Sequence, residues 1–149
     1  MSAETPALVH CFSVLVDADT DLGTFSECSG LSAGYGITEL REGGENGFAH
    51  QLWGPVSYGK ITLVRALDAA SAAVAEWVTS FEAASTPATA RIEAVDPAGA
   101  SIAAWDLRGV VPVQWNGPTW NVAANAVARE TLVIAHTGFT RASGGGGAA

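Results

Sequence analysis

The stretch "SYGKITLVRALDAASAAVAEWVTSFEAAS", Ser57 to Ser85, decides the fold, because its hydrophobic period changes partway along. Up to Leu67 it alternates: Ile61, Leu63 and Arg65 take one face and Lys60, Thr62 and Val64 the other, the period-two signature of a strand. From Asp68 onward, Val74, Trp77, Val78 and Phe81 fall at i, i+3, i+4 and i+7, which puts them on one face of a helix and makes them its predicted core side. Asp68 is the predicted N-cap, the alanines supply helix propensity, and Pro87 closes the helix because it lacks an N–H and its fixed φ opposes continuation.

Working outward from this helix, the remaining segments read as β-structure. "HCFSVLV", His10 to Val16, alternates, with Phe12, Val14 and Val16 on one face, and a turn-rich "DADTDLG" follows it. "TFSECSGLSAGYGITELRE" is strand material broken at Gly30 and around Gly34 to Gly36. Beyond the helix, "ATARIEAVDPAGASIAAWDLRGV" is a hairpin about the turn Asp96 to Gly99. A further run, "VVPVQW", ends at Asn116 to Pro118. The last strand, "NAVARETLVIAHTGF", places Ala128, Glu130, Leu132, Ile134 and His136 on one face. The pattern predicts about seven or eight strands and one helix: a mainly β domain, either a β-sandwich or a partly open β-barrel with the helix against it.

At 149 residues this is one domain, predicted to span residues 8–141 between a flexible start at 1–7 and a flexible Gly-rich tail at 142–149. Charged residues make up 15%, against a usual share of about 25%. So apolar and charge-poor a chain is expected to bury part of its surface against copies of itself or a partner. A sheet fold also has strand edges whose unpaired N–H and C=O groups invite another chain. The formal charge of −8 disfavours direct binding to nucleic acid or anionic membranes. No signal-peptide pattern and no run near 20 apolar residues is seen, so the expected compartment is the cytoplasm. Cys11 and Cys28 lie in strand-like runs and read as small buried hydrophobes.

Several motifs point to chemistry and each has a plainer reading. "GLSAG", Gly30 to Gly34, fits the G-x-S-x-G elbow of a serine hydrolase, with Ser32 as nucleophile and Asp96 or Asp106, then His136, in the required order. That elbow must join a strand to a helix, whereas Ser32 precedes strand-like residues. A glycine-rich bend is the simpler account, and the hydrolase stands as the alternative function. "DADTDLG" opens like a calcium loop but has Leu22 where a glycine is needed and Cys28 where a glutamate is needed. The histidines His10, His50 and His136 are scattered, without zinc spacing. "REGGENG" lacks the P-loop lysine and carries two acids that would repel phosphate. No cofactor, metal or catalytic constellation is expected, and the protein is read as a non-enzyme.

Three separated blocks carry a family resemblance: "FSECSGL" at Phe25 to Leu31, "REGGENGFAHQLWGPVSYGKITLVRAL" at Arg41 to Leu67, and "WNGPTWNVAANAVARETLVIAHTGF" at Trp115 to Phe139. In this order, from about Leu8 to Arg141, the chain resembles the tail-tube (inner-tube) proteins of contractile phage tails and of phage-tail-like contractile injection systems. Trp53, where the family often has proline, and Ala66, where it often has glycine, depart from the pattern.

The resemblance implies a structural subunit that forms hexameric rings, stacked into a hollow tube whose wall joins strands of neighbours. It implies a surrounding sheath protein whose contraction drives the tube through a target envelope. Baseplate, spike and terminator proteins are the further implied partners, together with a cargo in the lumen. It also gives "LREGGENGFAHQLWG", Leu40 to Gly54, a role as the loop that reaches a neighbouring subunit or ring. In that role Gly43, Gly44 and Gly47 let the chain turn close to a neighbour, Phe48 and Trp53 anchor it, and Arg41, Glu42 and Glu45 form charged pairs. Leu40, Asn46 and His50 complete the expected contact set.

Overall fold

The computed structural model describes residues 8–40, 50–118, 123 and 127–142, and for 38–40 and 50–53 the backbone alone. The predicted start at 1–7, the tip of the long loop at 41–49 and the tail from 143 lie outside the described residues.

The chain runs β1 (Cys11–Val16), β2 (Thr20–Phe25), β3 (Glu27–Ser29), β4 (Ala33–Leu40), β5 (His50–Tyr58), β6 (Ile61–Ala66), α1 (Ser71–Ala83), β7 (Ala88–Val95), β8 (Ser101–Asn116), β9 (Arg129–Ala135) and β10 (Gly138–Ala142). The fold is mainly β with a single helix among the described residues. One sheet has the order β2-β1-β7-β8-β9-β6-β3, with β10 also paired to β8, and β4 and β5 form a separate two-stranded unit. Every pairing is antiparallel.

Strand β8 is the spine. Its first half pairs with β7 and β10, and from Val111 it pairs with β9. The hairpin's second run and "VVPVQW" are therefore one strand. The segment read as a single last strand is broken at His136 and Thr137, where the Thr137 N–H donates to the Arg108 carbonyl at 2.8 Å. Opposite this break, Gly109 takes φ +59, and a Cβ there would strike the Thr137 side chain.

The sheet bends until its ends meet without forming a ladder. The Ser26 N–H donates to the Val64 carbonyl at 2.9 Å, and Arg65 Nη1 donates to the Leu22 carbonyl at 2.5 Å. It is thus an incompletely closed barrel, folded over a core of Val14, Val16, Leu22, Phe25, Ile61, Leu63, Ile92, Leu107, Leu132 and Ile134. Helix α1 packs on β2 and β8. Val74 and Trp77 are buried, while Val78 and Phe81 are half-buried against the same core.

The helix begins later than Asp68, with Ala70 in the N-cap position and no side-chain cap there. Asp68 still organises the entry. Its carboxylate accepts from the Ala70 N–H at 2.7 Å, and its own N–H donates to Ser71 Oγ at 3.3 Å, so the pair brackets one turn ahead of the regular helix.

Candidate assembly surface

The β4–β5 hairpin stands off the body as an arm. Its strands pair with each other, from Ala33↔Tyr58 to Leu40↔His50, and with no other strand among the described residues. At about 3.3 Å per residue, the nine residues of β5 span roughly 30 Å. The long-loop reading therefore needs correcting at its end: His50 to Gly54 is strand. The register breaks once, between Tyr35 and Ile37, where Gly36 faces Gly54. A Cβ on Gly54 would come within 2.8 Å of the Gly36 carbonyl oxygen, so a glycine is needed at 54 for the strands to stay close there.

The root of the arm is a tight crossing. Gly30 takes φ +93, and a Cβ on it would collide with the Lys60 carbonyl, while a Cβ on Gly59 would collide with Ser32 Oγ. This crossing ends β5 at Tyr58 and starts β6 at Ile61, splitting what alternation alone reads as one strand. Tyr58 anchors the root, its ring 5.3 Å from His136 and 5.9 Å from Phe139. Farther out, Tyr35, Ile37 and Val56 are exposed, Ile37 to 62%. A two-stranded hairpin with apolar side chains in water is marginal by itself, which makes this arm a surface in need of a partner. The sequence signal for these residues was the alternation in "YGITEL" and "GPVSY", obscured by the glycines.

In the large sheet, the outer sides of β2, β3 and β10 carry no ladder among the described residues. The solvent face of β1, β7 and β8 carries the Arg91–Asp106 ion pair at 3.0 Å, both partners about half exposed, beside Leu15 and Arg108 around a depression of about 390 Å³.

Beneath these surfaces lies one buried ionic network. Arg65 on β6 and Glu130 on β9 are register partners, 2% and 0% exposed, joined at 3.2 Å. Arg65 also lies over the Phe25 ring, 4.5 Å from its centroid. Glu130 accepts from Trp115 Nε1 at 3.1 Å and from the Ser71 hydroxyl, so one carboxylate links β6, β8, β9 and α1. Burial alone would raise this carboxyl. The hydrogen bonds from Ser71, Trp115 and Arg65, with the Arg65 charge, outweigh burial and hold it below its ordinary 4.5.

The residues singled out for chemistry do not converge. Ser32 sits between β3 and β4, not between a strand and a helix, and its hydroxyl donates to the Gly30 carbonyl at 3.2 Å. Asp96 accepts from the Ala98 and Ala100 amides in the hairpin turn, Asp106 pairs with Arg91, and His136 packs on aromatic rings. The elbow that the motif requires is not formed.

Asp17 to Asp19 form the hairpin turn between β1 and β2, with Asp17 and Ala18 at positive φ, and Asp17 Oδ1 accepts from the Thr89 N–H at 2.9 Å. Burial pushes the Cys28 thiol up to about 11, which keeps it protonated and unreactive at neutral pH. Of the expected contact loop, Leu40, His50 and Trp53 lie on the outer arm, described there by backbone only. Arg41, Glu42, Gly43, Gly44, Glu45, Asn46, Gly47 and Phe48 lie outside the described residues.

Comparison with known proteins gives a consistent result. A family model described as T4-like virus tail tube protein gp19 matches residues 9–140. Among solved structures, a chain of the anti-feeding prophage baseplate, 6-fold symmetrised, is 25% identical with a TM-score of 0.75, covering 95% of this chain and 98% of that one. A chain of the sheath–tube complex of the extracellular contractile injection system PVC, in its extended state, is 21% identical with a TM-score of 0.78, covering 94% and 93%. A chain of the anti-feeding prophage tube-terminating cap is 19% identical with a TM-score of 0.79, covering 96% and 95%. No curated protein sequence matches.

Proposed function

We propose, from the premise that this chain belongs to the T4-like virus tail tube protein family, that it is the repeating subunit of the inner tube of a contractile tail or injection system. Family membership makes it a structural tube protein. The finer reading is that six copies close a ring and rings stack into a hollow conduit, with cargo in the lumen and contraction of a sheath as the driving force. The sides of β2 and β10 that carry no ladder among the described residues support it, because a neighbour's strand there would continue the sheet from copy to copy and remove the exposed edges. The solved relatives come from a baseplate, a sheath–tube complex and a terminating cap, so sheath, baseplate with its spike, and terminator are the proposed partners. The subunit has no catalytic role in this reading. No helix among the described residues is long and apolar enough to cross a membrane, and assembly is proposed to occur in the cytoplasm.

The observation that carries the reading is the β4–β5 arm, a projecting hairpin with exposed apolar side chains and no partner strand in its own chain among the described residues. Together with the segment Arg41 to Phe48 it is proposed to bind the adjacent subunit or ring. Deleting Gly43 to Asn46 tests this. The shortened chain should keep the circular dichroism spectrum and melting behaviour of the protomer while losing the ability to polymerise. Normal tubes from the deletion would refute the arm's role.

A further inference from the structure

Strands β2, β1, β7, the first half of β8 and β10 form one continuous layer whose two faces are unlike. One face is the core: Val14, Val16, Ile92 and Leu107 point into it, and β6, β9 and α1 lie over it. The other face is uncovered among the described residues. By register, Leu15 of β1, Arg91 of β7, Asp106 of β8 and Thr140 of β10 stand in one row across it. Arg108 follows Asp106 on the same face of β8, and with Leu15, Ala18, Thr89, Arg91 and Asp106 it surrounds the depression of about 390 Å³.

The acids around this depression are already engaged. Asp17 accepts from the Thr89 N–H and hydroxyl at 2.9 and 3.3 Å, Asp21 from the Gly23 N–H at 2.8 Å, and Asp106 from Arg91 Nε at 3.0 Å. Arg108 differs: it is exposed, and its guanidinium has no acidic partner among the described residues. Glycine at its register partner 138 gives it room, because a Cβ there would strike Nη2. Glu93, the remaining carboxylate of the face, stands opposite Ala104, roughly 13 Å along β8 from Arg108 at ~3.3 Å per residue. On a chain that carries −8, the Arg108 end of this face thus presents an unanswered cation.

We propose that this face lines the lumen and that Arg108, backed by Arg91, binds carboxylates of an acidic polypeptide cargo. The inference rests on the tube-subunit reading and names the chemistry of what the conduit carries. Both edges of the layer, β2 and β10, carry no ladder among the described residues, so copies joined there make one wall. The core and helix stack on one side of that wall and need the larger radius, which turns the uncovered face inward. A guanidinium suits a carboxylate because it offers two parallel N–H donors. One exposed contact of this kind is weak, so a cargo held by one Arg108 per copy is retained by their number and can still slide. Nucleic acid fits less well, since Asp17 and Asp106 flank the cation and would repel a phosphate backbone.

Loading of assembled tubes tests this. Labelled polyglutamate, polylysine or single-stranded oligonucleotide is present during assembly, and the label that survives protease or nuclease treatment of pelleted tubes is counted as lumenal. Polyglutamate should be protected best in tubes of the unaltered chain. Arg108→Gln should lower that protection at least about fivefold, whereas Arg129→Gln, which removes an exposed cation beside Glu27 outside this face, should not. Equal protection in the two variants, or oligonucleotide or polylysine protected as well as polyglutamate, would overturn the proposal and leave the tube reading standing. A second readout needs no variant. In unaltered tubes phenylglyoxal should modify Arg108 more slowly when polyglutamate is loaded than when they are empty, with Arg129 unchanged; an Arg108 rate that loading does not alter would overturn the proposal. If Arg108→Gln does not assemble, the phenylglyoxal result decides. If the unaltered chain forms neither rings nor tubes, the tube reading fails and this inference fails with it.

Discussion

Glu130→Ala is the substitution whose cost the structure fixes most directly. The carboxylate is 0% exposed, and its loss strips Arg65, 2% exposed, of its only anionic partner among the described residues. Arg65 would keep the Leu22 carbonyl and the Phe25 ring, while Nη2, which has no hydrogen-bond partner already, gains none. Leaving a buried charge uncompensated costs about 3–5 kcal/mol. At about 2–4 °C per kcal/mol for a domain near this size, the melting temperature should fall by roughly 6–20 °C. The assay is thermal unfolding by circular dichroism in the background lacking Gly43 to Asn46, so that assembly does not add concentration-dependent stability. The double variant Arg65→Met/Glu130→Leu should recover most of the loss, because it removes both charges together. A fall below about 3 °C for Glu130→Ala, or a double variant as unstable as the single, would refute the claim that this pair is desolvated and mutually dependent.

Four further outcomes follow from the same structure. Because the folded Glu130 carboxyl sits below its ordinary value, its contribution is full above about pH 4.5 and is lost as pH falls through the folded value. The gap in melting temperature between the parent and Glu130→Gln should therefore narrow between pH 6 and pH 3; a constant gap would contradict this. Asp106→Asn, which breaks the half-exposed pair with Arg91, should change stability by less than about 1 kcal/mol in urea unfolding. Trp77→Ala should cost about 3–5 kcal/mol in the same assay, since the ring is 8% exposed and packs edge-on to Phe81 at 6.0 Å. A fluorophosphonate probe should leave Ser32 unlabelled in intact-mass spectra, because its hydroxyl has no histidine partner among the described residues.

Much of this fold was legible because alternation reports burial whatever the chemistry of the side chain. Reading Arg65 with Ile61 and Leu63, and Glu130 with Leu132 and Ile134, put each charged residue on an apolar face, and both are buried there. Their contact was not legible, since no local pattern aligns β6 with β9 across the intervening helix and two strands. Periodicity likewise could not separate β5 from β6, because the break comes from Gly30 and Gly59 crossing at the arm's root, a tertiary contact. Nor could it join the two runs of β8, where Gly109 and Pro112 look like breakers but are accommodated by the facing Thr137 and by a register shift against β9. The helix start shifted for a local reason: Asp68 and Ser71 bracket a turn ahead of it, and the propensity of the alanines does not mark which residue comes first. For the candidate assembly surface, the strand halves of the arm were partly hidden as a glycine-rich loop.

The central claim is that copies of this chain build a hollow tube. Negative-stain electron microscopy of the purified chain at high concentration tests it most directly. The account predicts rings or hollow tubes of uniform diameter with six-fold end views. A field of small monomeric particles, unchanged after adding a preformed baseplate to nucleate growth, would contradict it.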